Sequence, residues 1–430
     1  MIKENMQEKK KLLNLNKYQI FSVLFDIYLF ILMFDPMRES IDLGVINSLV
    51  SAMRDLLILF LVAYVILLKK EKVFSIYIFL MIISFVIMIL LSMFTSINKG
   101  KNIGLIYGVV RGFLICYVVI NLPNFYCFGI KHLSKYVPSV ALFDFLITLF
   151  IFFIKPDLIT KRQFGFRICV GNPSMLSVLY VCAFAFCLYY EPFRNRILNL
   201  FVTMLLLLAA VATVTSTAFI AIGVVFVLTF FNKKYTYKWG LILGIGTLFI
   251  LLLIVVLHVN LISFYKLFLA KFDEVKIVVA KYLDIESSVK SDYHSFDIRE
   301  AQIQRFKDNL EFSSIFFGDG IFSMYDQYAY MIENTYIAIF RDFGILGILV
   351  FAGFTISKLQ DIYAIYRVYG NYCQFVELAI ILVFCMTLYI PAGNSTLVES
   401  CLFLYLSRWN DIGEISSHNM NIGIRKYFIV

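Results

Sequence analysis

The sequence predicts an all-α polytopic membrane protein, and three observations support this fold class. Hydrophobic residues make up 61% of the 430 residues and charged residues only 16%, against about half and about a quarter in soluble domains. Apolar stretches recur from residue 17 to residue 409, which leaves too little polar surface to cover a body that faces water. These stretches are unbroken and do not alternate with period two, which excludes a transmembrane β-barrel.

Each membrane-spanning helix needs about 20 apolar residues, and the sequence contains twelve stretches that suit this role. With the N-terminus in the cytoplasm, the inner segments hold 19 basic residues and the short outer loops hold 7. Basic residues concentrate on the cytoplasmic side of membrane proteins, so we expect both termini to be cytoplasmic. The predicted spans are 17–34, 52–68, 73–92, 104–122, 138–154, 173–190, 197–213, 217–231, 239–258, 334–355, 374–391 and 396–410.

One segment has the composition of a soluble domain. Between residues 260 and 332, 19 of 73 residues are charged. We expect an extracytoplasmic loop domain there, with an amphipathic helix at 261–283 on the membrane surface and a soluble helix and turn at 287–319. The predicted organisation is a cytoplasmic tail (1–16), a bundle of about nine spans (17–258), the loop domain (260–332), about three more spans (334–410) and a second cytoplasmic tail (411–430).

The cysteines and histidines do not indicate a metal site. The eight cysteines lie almost entirely in apolar stretches and form no CxxC pair, so they indicate neither a disulfide framework nor zinc. The four histidines lie far apart and show none of the spacings of metal-binding motifs. We therefore predict no metal and no cofactor.

Several charged residues fall inside the predicted spans. Charges in the bilayer are costly, so they normally face the interior of the bundle or a water-filled cavity. Arg111, seven residues into its span, is the clearest candidate for a functional role. The alternative is that each charge pairs with another inside the bundle or extends its charged end to the interface. The other residues of this kind, nearer to helix ends, are Asp26, Arg54, Asp55, Asp144 and Glu399.

Basic residues also gather in the outer loops, where topology does not predict them. Guanidinium groups bind phosphate oxygens in bidentate fashion and keep their charge, so arginines there suit a lipid-linked diphosphate at the interface. Solvation in the loop beside local carboxylates is the alternative. These residues are Lys155, Lys161, Arg162, Arg167, Arg299, Arg305 and Lys307.

A polar group follows the loop domain, where the chain re-enters the membrane. Glu333-Asn334-Thr335-Tyr336 places a carboxylate, an amide and a phenol at the depth of a lipid headgroup. As alternatives, Glu333 and Asn334 cap a helix, and Tyr336 is an interfacial aromatic residue. Arg341 then forms an ion pair with Asp342 or another neighbour. In the following sequence, Gly344 and Gly347 are expected to share a helix face and to permit close packing of helices.

Three segments together resemble the O-antigen polymerase and O-antigen ligase superfamily. Two of them, DIREAQIQRFKDNLEFSSIFFGDG and IENTYIAIFRDFGILGILVF, lie in the large loop and at the membrane re-entry that follows it. The third, FRICVGNPSMLS, resembles the Arg-x-x-Gly-Asn-Pro element of the family and contains Arg167, Gly171, Asn172 and Pro173. The similarity covers residues 160–355 by motif and the remainder by hydropathy only.

The resemblance implies a GT-C-like fold in the cytoplasmic membrane and an inverting, metal-independent glycosyltransferase. Its substrate would be a polyprenyl-diphosphate-linked oligosaccharide at the outer face. By position, Arg299 matches the loop arginine that binds the donor diphosphate. Glu333 stands where the ligases have a catalytic histidine and many polymerases an acidic residue, which favours a polymerase. The substrate-binding candidates are Arg167, Arg111, Asn334, Tyr336 and Arg341.

The chain departs from the family pattern in one place. The family often has Ser-Arg at the start of a middle span, where this chain reads Thr215-Ser216-Thr217-Ala218. A second contact to the diphosphate would therefore come from Arg167, Arg111 or Arg341.

Other functions stay open from the sequence. An O-antigen ligase-type transferase differs in its acceptor, and a flippase or transporter of lipid-linked oligosaccharides also needs about twelve spans. The absence of an internal repeat and the large outer domain weigh against a transporter. A structural scaffold gives no reason for arginines in the bilayer. Besides the lipid bilayer, the expected partners include a chain-length regulator protein and no nucleic acid.

Overall fold

The computed structural model describes residues 2–38, 44–68, 90, 104–154, 169–230, 295–308, 310, 312–320, 334–370, 373–386, 399–400 and 402–409. Within these ranges the secondary structure is helical and contains no strand, which confirms the all-α fold class. The helices are α1 (Ile2–Arg38), α2 (Val45–Leu68), α3 (Gly104–Phe125), α4 (Ile130–Ile154), α5 (Pro173–Tyr190), α6 (Arg196–Ala212), α7 (Ser216–Phe230), α8 (Ser295–Asp308), α9 (Phe312–Phe317), α10 (Thr335–Tyr369) and α11 (Cys373–Cys385).

Five helices of the described part are long and apolar enough to cross a membrane, as a helical membrane protein requires. Helices α6, α7 and α11 are apolar but shorter. The predicted span 239–258, nearly all of 73–92 and the predicted amphipathic helix at 261–283 lie outside the described residues. The five long segments are Lys17–Asp35, Val45–Leu67, Ile130–Ile154, Pro173–Tyr190 and Thr335–Arg367.

Helix α5 forms the centre of the bundle. It packs against α1, α4, α6, α7 and α11, and 15 of its 18 residues are buried. A helix that is apolar on every side is a core helix. Its start is well defined, because the Asn172 side chain accepts a hydrogen bond from the Ser174 N–H at 3.1 Å and Pro173 occupies the first turn.

Helix α10 reverses direction at Gly344 and is not the single straight span predicted for 334–355. Gly344 has φ 63° and ψ −155°, which is not helical. The rings of Tyr336 and Phe351 have centroids 5.7 Å apart, although a straight helix would separate these residues by about 22 Å. A Cβ on Gly347 would lie 3.1 Å from the Ile339 carbonyl oxygen. Residues 335–343 (the first arm) therefore fold back against residues 345–369 (the second arm).

The second arm is long enough to cross the membrane alone. Residues 345–367 extend about 34 Å as a helix, against a hydrocarbon core of about 30 Å. Lys358 and Arg367 lie toward its C-terminal end, and basic residues favour the cytoplasmic side. From this distribution of charge we expect Gly344 at the outer end of the arm. Because Gly344 is the turn between the two arms, the expectation that it shares a helix face with Gly347 was wrong.

Candidate functional site

The outer-loop motif and the membrane re-entry motif contact each other at the end of the first arm of α10, next to Gly344. After α9, the Asp319 N–H donates to the Arg341 carbonyl oxygen at 2.6 Å, and the Gly320 N–H donates to the Asp342 carbonyl oxygen at 3.2 Å. The Ser314 hydroxyl of α9 donates to the Asp319 carboxylate. Two of the three segments on which the family resemblance depends therefore form one packed unit.

Two glycines permit this packing, and we call Gly318 and Gly344 the glycine clasp. Gly318 has φ +75°, and a Cβ there would collide with the backbone of Asp342. Gly344 has φ +63°, and a Cβ there would lie 2.5 Å from the carbonyl carbon of Phe316. Only glycine meets both demands at low cost, because it has no Cβ and adopts positive φ readily.

Helix α8, which carries Arg299, packs on the first arm of α10. The Phe306 ring is buried and meets the Phe340 ring edge-on, with centroids 5.9 Å apart. Ile337 also packs against Phe306. Position 299 lies seven residues earlier on α8, which is about two turns. The contact of Phe306 with α10 is therefore about 10 Å along the helix from position 299.

Asn334 and Tyr336 have partners at the start of the first arm. The Asn334 side chain accepts a hydrogen bond from the Ile337 N–H at 3.1 Å and caps the helix. The Tyr336 hydroxyl donates to the Leu382 carbonyl of α11 at 2.9 Å. Because Tyr336 lies beside Phe351, the start of the first arm is level with a point on the second arm about 10 Å from Gly344. This end of α10 is recessed into the bundle.

Arg341 lies in the protein interior. Its side chain is fully buried, and its guanidinium donates to the Asp342 carboxylate at 2.5 and 2.8 Å. The same pair of residues offers the two backbone carbonyls that hold the loop. In this arrangement Arg341 supports the contact between loop and helix, as the ion-pair interpretation expects.

Arg111 belongs to a charged cluster among α1, α2 and α3, which we call the outer charge cluster (Asp35, Arg54, Asp55 and Arg111). Arg111 and Arg54 both approach Oδ1 of Asp55 at 3.3 Å. Arg54 also donates to the Asp35 carboxylate. Asp35 was missed from the sequence because it follows the last apolar residue of its predicted span. The side chains of Arg111 and Asp55 remain 20% and 26% exposed.

The three remaining acidic residues of the predicted spans, Asp26, Asp144 and Glu399, are buried or partly buried. Asp144 accepts a hydrogen bond from the Tyr180 hydroxyl. Glu399 is fully buried, and neither of its carboxylate oxygens has a hydrogen-bond partner. Asp26 accepts from the Tyr126 hydroxyl at 2.7 Å. Burial and this bond raise the pKa of Tyr126, which lies between α3 and α4.

Two of the seven predicted site residues, Glu333 and Arg167, lie outside the described residues, and for Arg299 the structure describes the backbone only. Arg299, Asn334, Tyr336 and Arg341 belong to the packed unit of α8, α9 and α10. Arg111 belongs to the outer charge cluster. In the described ranges, no three His, Cys, Asp or Glu side chains come together in a way that could hold a metal ion.

Two comparisons of the sequence with known proteins gave no match. No family model matches the chain, and no curated protein sequence matches it. The resemblance to the polymerase and ligase superfamily therefore rests on the motif segments and their arrangement.

Proposed function

We propose that the protein is a polysaccharide polymerase at the outer face of the cytoplasmic membrane. It would join oligosaccharide repeat units carried on polyprenyl diphosphate, as an inverting, metal-independent glycosyltransferase. One observation supports this proposal most: Phe306 packs on Ile337 and Phe340, so the helix of Arg299 lies against the arm that begins with the Asn334–Tyr336 segment. Both come from the segments that resemble the family.

The depth of this place suits a lipid-linked sugar. With Gly344 at the outer end of the second arm, as the basic residues near the other end of that arm suggest, the start of α10 is about 10 Å deeper. This depth is within the outer half of a bilayer about 30 Å thick in its core. A polyprenyl chain stays in the hydrocarbon, so its diphosphate and first sugars reach a recess of this depth from the side. Polar backbone and side chains at such depth are tolerated where they line a cavity.

The proposed chemistry is a direct displacement. A sugar hydroxyl of one repeat unit attacks the anomeric carbon of the glycan on the other carrier. The new C–O bond forms as the bond from that carbon to the diphosphate oxygen breaks, and the configuration inverts. Glu333 accepts the hydroxyl proton as general base, and the polyprenyl diphosphate leaves with the bonding electron pair.

Arginines stabilise the charge of the leaving diphosphate. Arg299 and Arg167 are the proposed contacts, because a guanidinium binds two phosphate oxygens at once and keeps its charge. A preorganised donor of this kind is worth about 3 kcal/mol of transition-state stabilisation in a partly dehydrated site. Asn334 and Tyr336 would position the acceptor sugar, and proper orientation lowers the barrier further.

The test is the length of polymer in cells that lack the native gene and express variants. We expect Arg299→Ala and Glu333→Gln to leave single repeat units where the wild-type protein makes long chains. Arg194→Ala is the control, since Arg194 is exposed and lies in a predicted inner loop, away from the proposed site. Normal polymer length and yield in both site variants would refute the assignment of the site.

The same cells distinguish the alternative functions. Loss of a polymerase leaves single repeat units on the surface lipid, whereas loss of a flippase leaves none. Loss of a ligase removes polymer from its final carrier while lipid-linked chains accumulate. A chain-length regulator that binds this protein is part of the proposal, and co-purification from the native membrane tests it.

A further inference from the structure

The short helix α9 carries exposed aromatic side chains beside the turn of α10. Phe312, Phe316 and Phe317 are 78%, 46% and 54% exposed, and the rings of Phe312 and Phe316 touch, with centroids 5.5 Å apart. Single exposed apolar residues are ordinary. Three phenylalanines on a six-residue helix form a concentrated apolar patch. Such a patch indicates a surface that contacts a membrane or another protein.

The attachment of α9 explains why these rings face outward. Its backbone lies against Gly344, and its Ser314 is buried and bonded to Asp319. The helix is therefore held on α10 by backbone contacts and by a hydroxyl group. Its phenylalanine rings are left on the side that faces away from the protein.

The phenylalanine patch continues a lipid-facing surface of the second arm of α10. Ile345, Leu346, Leu349 and Ile356 are 39%, 41%, 60% and 55% exposed, and their spacing places them on one side of the helix. Exposed apolar side chains on a helix that crosses a membrane face lipid. Since Gly344 packs on Phe316, the α9 patch lies at the outer end of this surface.

We infer that α9 is an interfacial anchor whose phenylalanines insert into the outer leaflet of the bilayer. Aromatic side chains favour the membrane interface, and a short helix with one apolar side lies in the plane of that interface. Arg305 and Lys307, which precede α9, are exposed and suit a layer of phosphate-bearing headgroups. The anchor sets the depth of α8 and of the first arm relative to the headgroups.

Tryptophan fluorescence in vesicles tests the anchor independently of any activity. The chain has two tryptophans, so a background of Trp239→Phe and Trp409→Phe leaves each introduced tryptophan alone. Phe316→Trp reports on α9. Leu349→Trp is the lipid-facing reference, and Ala301→Trp on the exposed side of α8 is the reference outside the bilayer. Each variant is reconstituted in phosphatidylcholine and phosphatidylglycerol vesicles with acyl chains brominated near the glycerol.

We expect bromine to quench Phe316→Trp as strongly as Leu349→Trp and several-fold more than Ala301→Trp. Iodide in the water should show the opposite order. Equal iodide quenching of Phe316→Trp and Ala301→Trp would overturn the inference, because α9 would then face water. Weak quenching by both agents would also overturn it, because a second copy or another segment of the chain would then cover the patch. Phe312→Trp repeats the measurement on the most exposed ring.

Discussion

Two arginines of the outer charge cluster share one carboxylate oxygen, Oδ1 of Asp55. Asp35 supplies Arg54 with a further partner, so two guanidinium groups meet two carboxylates and the cluster is formally neutral. Neutrality is what permits charged groups to remain among membrane helices, since an uncompensated buried charge is strongly destabilising. Arg111 is the more exposed arginine of the cluster, with 20% of its side chain exposed against 10% for Arg54.

Asp35→Ala is expected to destabilise the protein strongly. It leaves the buried Arg54 guanidinium with one fewer anionic partner, and breaking a buried ion pair costs about 3–5 kcal/mol. The measurement is the thermal midpoint of unfolding in detergent. Asp361→Ala is the control, because Asp361 is 48% exposed and lies 3.7 Å from Lys358. Exposed pairs contribute less than about 1 kcal/mol, so equal loss in both variants would contradict the importance of the cluster.

Asn334 allows its capping role to be separated from a role in substrate binding. Asn334→Ala removes the acceptor of the Ile337 N–H and should cost about 1 kcal/mol of stability. Asn334→Ser retains an oxygen that can cap the helix but lacks the amide N–H groups. We expect the serine variant to keep the thermal midpoint and to lose polymer yield. A serine variant with normal yield would show that Asn334 acts as a helix cap only.

Single residues were predictable from the sequence where the partner is close in the chain. The cap at Asn334 and the pair of Arg341 with Asp342 follow from adjacent residue types, and both are present. The bond from Tyr336 to Leu382 joins residues 46 positions apart, and a single sequence has no signal for it. Asp35 pairs with Arg54 on another helix, and the sequence does not indicate that contact either. Asp35 was therefore interpreted as a loop residue.

Helix α10 shows why the shape of an element is harder to predict than its apolar character. Apolar residues continue on both sides of Gly344, so hydropathy describes a straight span and a folded one equally well. The information lies in the backbone, in the positive φ of Gly344 and in the contact between Gly347 and the first arm. The two glycines were visible in the sequence, but their spacing suggested packing against another helix instead of a reversal.

The glycine clasp should fail when either glycine gains a side chain. Gly318→Ala or Gly344→Ala forces a Cβ into the facing backbone, and such overpacking costs about 1–3 kcal/mol. Positive φ adds about 1–2 kcal/mol for a residue with a Cβ. We expect faster proteolysis of the outer loop in both variants. Gly353→Ala is the control, since a Cβ there meets nothing within 4 Å, and proteolysis at the wild-type rate in all three would refute the clasp.

For the whole chain, the composition predicted a helical membrane protein correctly. This prediction depends on the number of apolar residues and does not require knowing which helices contact each other. The order of packing was not predictable in this way. The position of α5 at the centre follows only from its contacts on all sides, although its nearly uniform apolar character is what makes that position possible. The number of spans and the orientation of the termini remain predictions.

Reporter fusions on either side of α10 test this orientation and the reversal together. The second arm crosses the membrane and the first arm does not, so the chain should change sides once between residues 320 and 370. We expect an alkaline phosphatase fused after Gly320 to be active, as it is outside the cytoplasm, and one fused after Gly370 to be inactive. A fluorescent protein that folds only in the cytoplasm should give the opposite result.

A fusion after Gly129, in the predicted inner loop between α3 and α4, is the control for the cytoplasmic side. If the reporters after Gly320 and Gly370 are active on the same side, α10 is a hairpin that enters and leaves by one face, and the positive charges near its end do not mark the cytoplasm.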